Sequence, residues 1–126
     1  MVAVALLTLV VSAGCTSPKP VGIAAFCQQS RSLRPEVEVV EPNNITITGA
    51  RLEALAQVAP PEIATDVATV AQAFTGLQAH LRAFTSGALS WQDFKARYVT
   101  PALSSPDIAR ANDAIWAFVT SRCGSP

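Results

Sequence analysis

Seven apolar side chains, Ile63, Val67, Val70, Phe74, Leu77, Leu81 and Phe84, recur at intervals of four, three, four, three, four and three residues. That rhythm is the seam of an amphipathic helix. A strand cannot satisfy it, because a strand's faces alternate every second residue. Pro60-Pro61 precede the seam and Ser86-Gly87 follow it. Pro61 suits the first helical turn, Glu62 and Asp66 complement the positive end of the helix dipole, and the glycine offers a left-handed stop. A helix from Pro61 to Phe84 would run about 36 Å and form the spine of a small domain. The stripe is narrow, with Asp66, Thr69, Gln72 and Gln78 turned away, so burial is expected on one side only.

Other stretches carry the same period. From Pro20 to Arg34, the residues Ile23, Phe26, Cys27, Ser30 and Leu33 share a face, and Pro35 is expected to end the helix. Ala50 to Ala59 places Leu52, Leu55 and Ala59 on one side and stops at Pro60. Ser90 caps a segment with Asp93 at the third helical position and Trp91, Phe94 and Tyr98 at helical spacing, ending at Pro101. Ser105, Pro106 and Asp107 open a last helix whose inner face is Ile108, Ala111, Ile115, Phe118 and Val119. Arg122 in its last turn and Gly124 close it. Between the first two helices, Glu36-Val37-Glu38-Val39 and Ile45-Thr46-Ile47-Thr48 alternate around Pro42-Asn43-Asn44. Period two with a turn between predicts a short β-hairpin over 36–48 lying on the helices, with an irregular arm as the alternative. Asn44-Ile45-Thr46 also matches a glycosylation sequon, read here as chance. The expected fold is mainly α: a four- or five-helix bundle over residues 21–126.

Residues 1–14 carry no charged side chain. As a helix they would extend about 21 Å, short of the roughly 30 Å hydrocarbon core of a bilayer, so they read as a secretory signal rather than a span. The small residues Ser12, Ala13 and Gly14 directly before Cys15 resemble the lipobox of bacterial lipoprotein precursors. Ser12 stands where a lipobox usually carries leucine, and no Lys or Arg precedes the run. The resemblance implies that the Cys15 thiol receives a diacylglyceryl group, that residues 1–14 are removed, and that fatty acyl chains such as palmitate anchor the protein at the extracytoplasmic face of the membrane. Residues 15–20, with Pro18 and Pro20, then form an extended tether. Ordinary signal-peptidase cleavage after Ala13 and a buried apolar helix are the competing readings. The nine basic and nine acidic residues balance, so membrane attachment rests on acyl chains and no nucleic-acid partner is expected.

Of the three cysteines, Cys27 and Cys123 remain once Cys15 is set apart. In an oxidising compartment such a pair reads as a disulfide, whose closed loop of nearly a hundred residues constrains the unfolded chain by about 4.7 kcal/mol. Two free core thiols or half of a metal site are the alternatives. His80, the lone histidine, and the lack of a Cys-x-x-Cys leave the metal reading short of ligands. "APPEIATDVATV" (Ala59 to Val70), Phe26-Cys27 and Cys123-Gly124 together resemble small secreted actinobacterial lipoproteins of unknown function. The resemblance spans most of the mature chain and implies an envelope-exposed, cysteine-paired helical domain. It carries no catalytic residue and no substrate.

Motifs for catalysis are missing from the sequence: there is no Gly-x-Ser-x-Gly, His-Glu-x-x-His, phosphate loop or dinucleotide fingerprint. His80 has Leu77, Gly76, Ala83 and Phe84 as its helical neighbours and no local carboxylate to orient it. Glu36, Glu38 and Glu41 read as a solvated acidic strand rather than a cation site. Trp91, Tyr98 and Trp116 read as core, with an apolar ligand groove as the second choice. The expectation is therefore no catalytic residue, no metal and no cofactor. The chain reads as a non-enzymatic, lipid-anchored envelope protein that binds another envelope protein or serves a structural part. The alternative is a carrier of a small apolar ligand, lipid or haem, using the aromatic helices with His80 or Tyr98; a hydrolase is the remaining class.

Overall fold

The computed structural model describes residues 22–124. They form α1 (Ile23–Glu38), α2 (Ile45–Val58), α3 (Ala64–Thr85), α4 (Trp91–Phe94), a π-helical segment (Lys95–Val99), α5 (Thr100–Leu103) and α6 (Pro106–Arg122). The architecture is mainly helical, a bundle stapled by one disulfide, and no strand occurs among the described residues.

The 36–48 hairpin is not present, and neither is the irregular arm. Residues 36–38 are the last turn of α1 and residues 45–48 the first turn of α2. Burial explains the outcome. Val37 packs inside one turn after Leu33, and Ile45, Thr48, Gly49, Leu52 and Leu55 make a continuous helical stripe. A strand would have sent alternate members of that set to solvent. Asn44 holds the connection, accepting from the Glu41 N–H at 2.9 Å and donating to the Val39 carbonyl at 3.0 Å. Pro35 lies inside α1 rather than ending it. It is exposed, so its ring faces water while Leu33 and Val37 on the opposite side anchor the helix.

α3 begins later than Pro61. Residues 60–63 form a turn closed by the Ile63 N–H on the Pro60 carbonyl at 3.1 Å, and Ile63 is buried ahead of the helix. Val67, Val70, Phe74 and Leu77 are buried as the seam requires, whereas Leu81 and Phe84 are half-buried. Gly87, with φ +80°, supplies the left-handed stop. The Ser90 cap forms reciprocally: its hydroxyl accepts from the Asp93 N–H at 3.1 Å and donates to the Asp93 carboxylate at 2.8 Å. Ser105 accepts from the Ile108 N–H at 3.4 Å at the start of α6.

Pro101 does not terminate its segment. The π turn sits directly before it, with the Thr100 N–H bonded five residues back to the Lys95 carbonyl. In a regular helix the proline ring would crowd the carbonyl four residues earlier, and the wider turn is where the chain absorbs that conflict. Two clusters fill the interior. The main core joins α1, α2, α6 and the first half of α3. A second gathers Ile45, Leu77, Phe94 and Val99, roofed by Phe84, Trp91 and Tyr98.

α3 presses closely on α2 at Gly49. A Cβ there would stand 2.9 Å from Gln78 Nε2 and 3.5 Å from Phe74 Cβ. Gln78 is therefore not turned away: half-buried, it donates to the Thr46 carbonyl at 3.1 Å. Leu77→Ala should lower unfolding free energy by about 2–5 kcal/mol, as expected for an emptied leucine site. Gln78→Ala should lower it by about 1 kcal/mol, the net value of the interhelical hydrogen bond. In the Gln78→Ala background, Gly49→Ala should add about 0.5–1 kcal/mol of helix propensity, a gain that the displaced amide cancels in the parent chain. Urea denaturation of the four variants measures all three; an equal effect of Gly49→Ala in both backgrounds would remove the amide from the account.

Candidate functional site

Cys27 and Cys123 lie on the facing ends of α1 and α6 and are bonded, with Cα atoms 5.4 Å apart across a sequence separation of 96 residues. Each is delivered by its helix: Cys27 sits on the inner face one residue after buried Phe26, and Cys123 caps α6. Three further contacts join the same two helices. The Arg31 guanidinium donates to the Cys123 carbonyl at 2.6 Å, and Phe26 meets Phe118 edge-on at 5.7 Å. Arg34 stands 5.5 Å over the Trp116 ring, whose Nε1–H donates to Asn112 at 2.8 Å. Beyond Arg34 none of these bridges recurs, and α1 and the α5–α6 corner are separated by clefts.

The first cleft, of about 170 Å³, is floored by Val37, Val70, Leu103 and Ile108. The second, of about 390 Å³, shares Leu103 and opens at the far end of α1. Val39 and Val40 form one wall; Val99 and Leu103 form the other, with Lys95, Thr100 and Ser104 along the rim. Glu38 also borders this cleft, but its carboxylate is held by Arg34 at 3.0 Å. Lys95 makes no ion pair among the described residues. Apolar surface beside one unpaired ammonium can receive an amphiphilic molecule.

The residues singled out from sequence are scattered. Cys15 lies outside the described residues. Trp91 and Tyr98 belong to the second core and Trp116 to the main one, so the three do not line one groove. His80 is exposed and stacks on Tyr98, rings 4.2 Å apart and 9° from parallel. The acidic arm does not form. Glu36 is paired with Arg51 and accepts from Thr48 at 3.4 Å, Glu38 is paired with Arg34, and Glu41 lies in the turn. Among the described residues, no group of three or more His, Cys, Asp or Glu could hold a metal ion. No described helix is long and apolar enough to cross a membrane.

The cleft of Val39, Val40, Lys95, Val99, Thr100 and Leu103 was not visible in the sequence. Its one local signal is Val39-Val40, an apolar pair that falls off the α1 stripe, with Val39 left 60% exposed. No protein-family model matches the chain, and neither the curated proteins nor the solved structures contain a significant match.

Reduction of the disulfide should cost about 2–5 kcal/mol, lowering the thermal midpoint by about 10 °C or more in a domain of this size. Circular dichroism should show helix content largely kept in the cold and lost at lower temperature. Peptide mapping of the oxidised protein should link Cys27 to Cys123; a link from either to Cys15 would overturn the pairing.

Proposed function

We propose that this chain is a lipid-anchored protein of the extracytoplasmic face of a bacterial cell membrane. Cys15 carries the lipid, and the helical domain binds another envelope protein or serves a structural part without catalysing a reaction. The observation that carries this reading is the Cys27–Cys123 bond. A disulfide of this kind belongs to an oxidising compartment, and it leaves Cys15 as the one cysteine of three outside the pair. The small residues before Cys15, the Pro18/Pro20 tether and the resemblance to small secreted actinobacterial lipoproteins support the same reading.

The cleft of about 390 Å³ favours a second reading, an extracytoplasmic carrier of a small apolar ligand. Its lining fits a lipid-like molecule better than haem, because neither His80 nor Tyr98 borders it. Cys15→Ala should release the protein from the membrane fraction while leaving its circular dichroism and thermal midpoint unchanged. A mutant still membrane-bound, or mass spectrometry of the parent protein showing an unmodified Cys15, would defeat the lipid-anchor reading.

A further inference from the structure

We infer that the cleft between Val39-Val40 and the Lys95–Ser104 stretch binds a medium-chain carboxylate, its acyl chain against the valines and Leu103 and its carboxylate on Lys95 Nζ. The inference rests on the carrier reading and names its ligand and its site. Three observations converge there. The cleft, at about 390 Å³, has the size of small-molecule sites. Its apolar wall is unsatisfied, since Val39 is 60% exposed although it lies between buried Val37 and half-buried Val40. Its charges are not equivalent: Glu38 is neutralised by Arg34 at 3.0 Å, and Lys95 has no anionic partner among the described residues. An amphiphile with a single negative head complements that arrangement, and a cation or a neutral hydrocarbon does not. The Ser104 hydroxyl is already committed to the Thr100 carbonyl at 2.6 Å, so Lys95 is the cationic group left to receive the head, with the Thr100 hydroxyl on the same lining.

Size limits the chain length. A space of about 390 Å³ holds one acyl chain of about ten carbons and not the two long chains of a membrane phospholipid. The cleft lies at the Glu38 end of α1, about 24 Å along a helix of 16 residues from its Ile23 end.

The test uses the full chain in nanodiscs with a diazirine-bearing decanoate, its crosslinks mapped by mass spectrometry. Saturable labelling should fall on residues 39–40 and 99–104 and be competed by decanoate. Affinity should rise about fourfold per methylene from octanoate to decanoate, as burial of hydrocarbon predicts. Lys95→Ala should raise the half-saturating concentration about tenfold, the lower end for a charge-assisted hydrogen bond, and Lys95→Arg should restore it. Val39→Asp, at an exposed site that does not threaten folding, should abolish labelling. If decanol competes as well as decanoate and Lys95→Ala changes nothing, the carboxylate assignment falls and a carrier of neutral ligands stands. If no labelling saturates at the cleft, the carrier reading falls with it.

Discussion

The covalent closure of α1 onto α6 is the constraint on which the rest of the molecule depends. α1 packs on α2, α2 on α3 and α3 on α6, so the helices form an open series rather than a ring. The first and last members of that series are joined from Cys27 to Arg34 of α1, through Cys27–Cys123, Phe26 against Phe118 and Arg34 over Trp116. Cutting the bond returns loop-closure entropy to the unfolded chain and frees the two helices least supported by their neighbours. Clefts lie along α1 on both sides of its contacts with α6, about 270 Å³ beside the staple and about 390 Å³ at the Glu38 end.

α3 connects the two cores, and its half-buried tail follows from what covers it. Val67 to Phe74 face the main core, Leu77 faces the second, and Leu81 and Phe84 pack at the margin of the second, with Phe84 against Trp91 and Phe94. That stretch does more than its length suggests because of the π segment. Phe94 and Val99, five residues apart, are both buried. A regular helix would rotate one of them out of the core, and the wider turn brings both onto Ile45 and Leu77. Tyr98 is thereby set against His80 and Lys95 toward the cleft, on different sides of one helical stretch.

The helices were legible where one periodicity had no rival. The α3 seam, the Ser90 and Ser105 caps and the glycine stop at Gly87 all follow from local chemistry. Residues 36–48 misled because Val37, Val39, Ile45 and Ile47 are β-branched and alternate, a pattern that fits a strand as well as a helix over so short a window. Tertiary burial decided it: Val37 completes the stripe from Leu33, and Ile45 completes the one to Leu52 and Leu55. Local sequence presents Pro35 and Pro101 as breaks, and each is instead tolerated, one by facing water and the other by a π turn. Gln78 was misplaced because its role depends on the missing side chain at Gly49, a residue on another helix. The cleft was least legible of all. It is lined by residues that are each unremarkable locally and meet only because the α1–α2 turn and the π segment face each other.

The position of the staple also bears on the proposed tether. A lipid on Cys15 would load the chain at the start of α1, where a helix frays first and its leading N–H groups lack intrahelical partners. Gly22, the residue before α1, has no side-chain cap to resist that load. The bond at Cys27 does: a pull on the tether reaches α6 through sulfur after the first turn of α1, and fraying stops there. The load then passes into the packed series of helices without crossing the cleft, which sits beyond Val37 at the opposite end of α1. In the proposed arrangement anchorage and binding are mechanically separate: a ligand at Lys95 would exchange without disturbing the end tethered through Cys15.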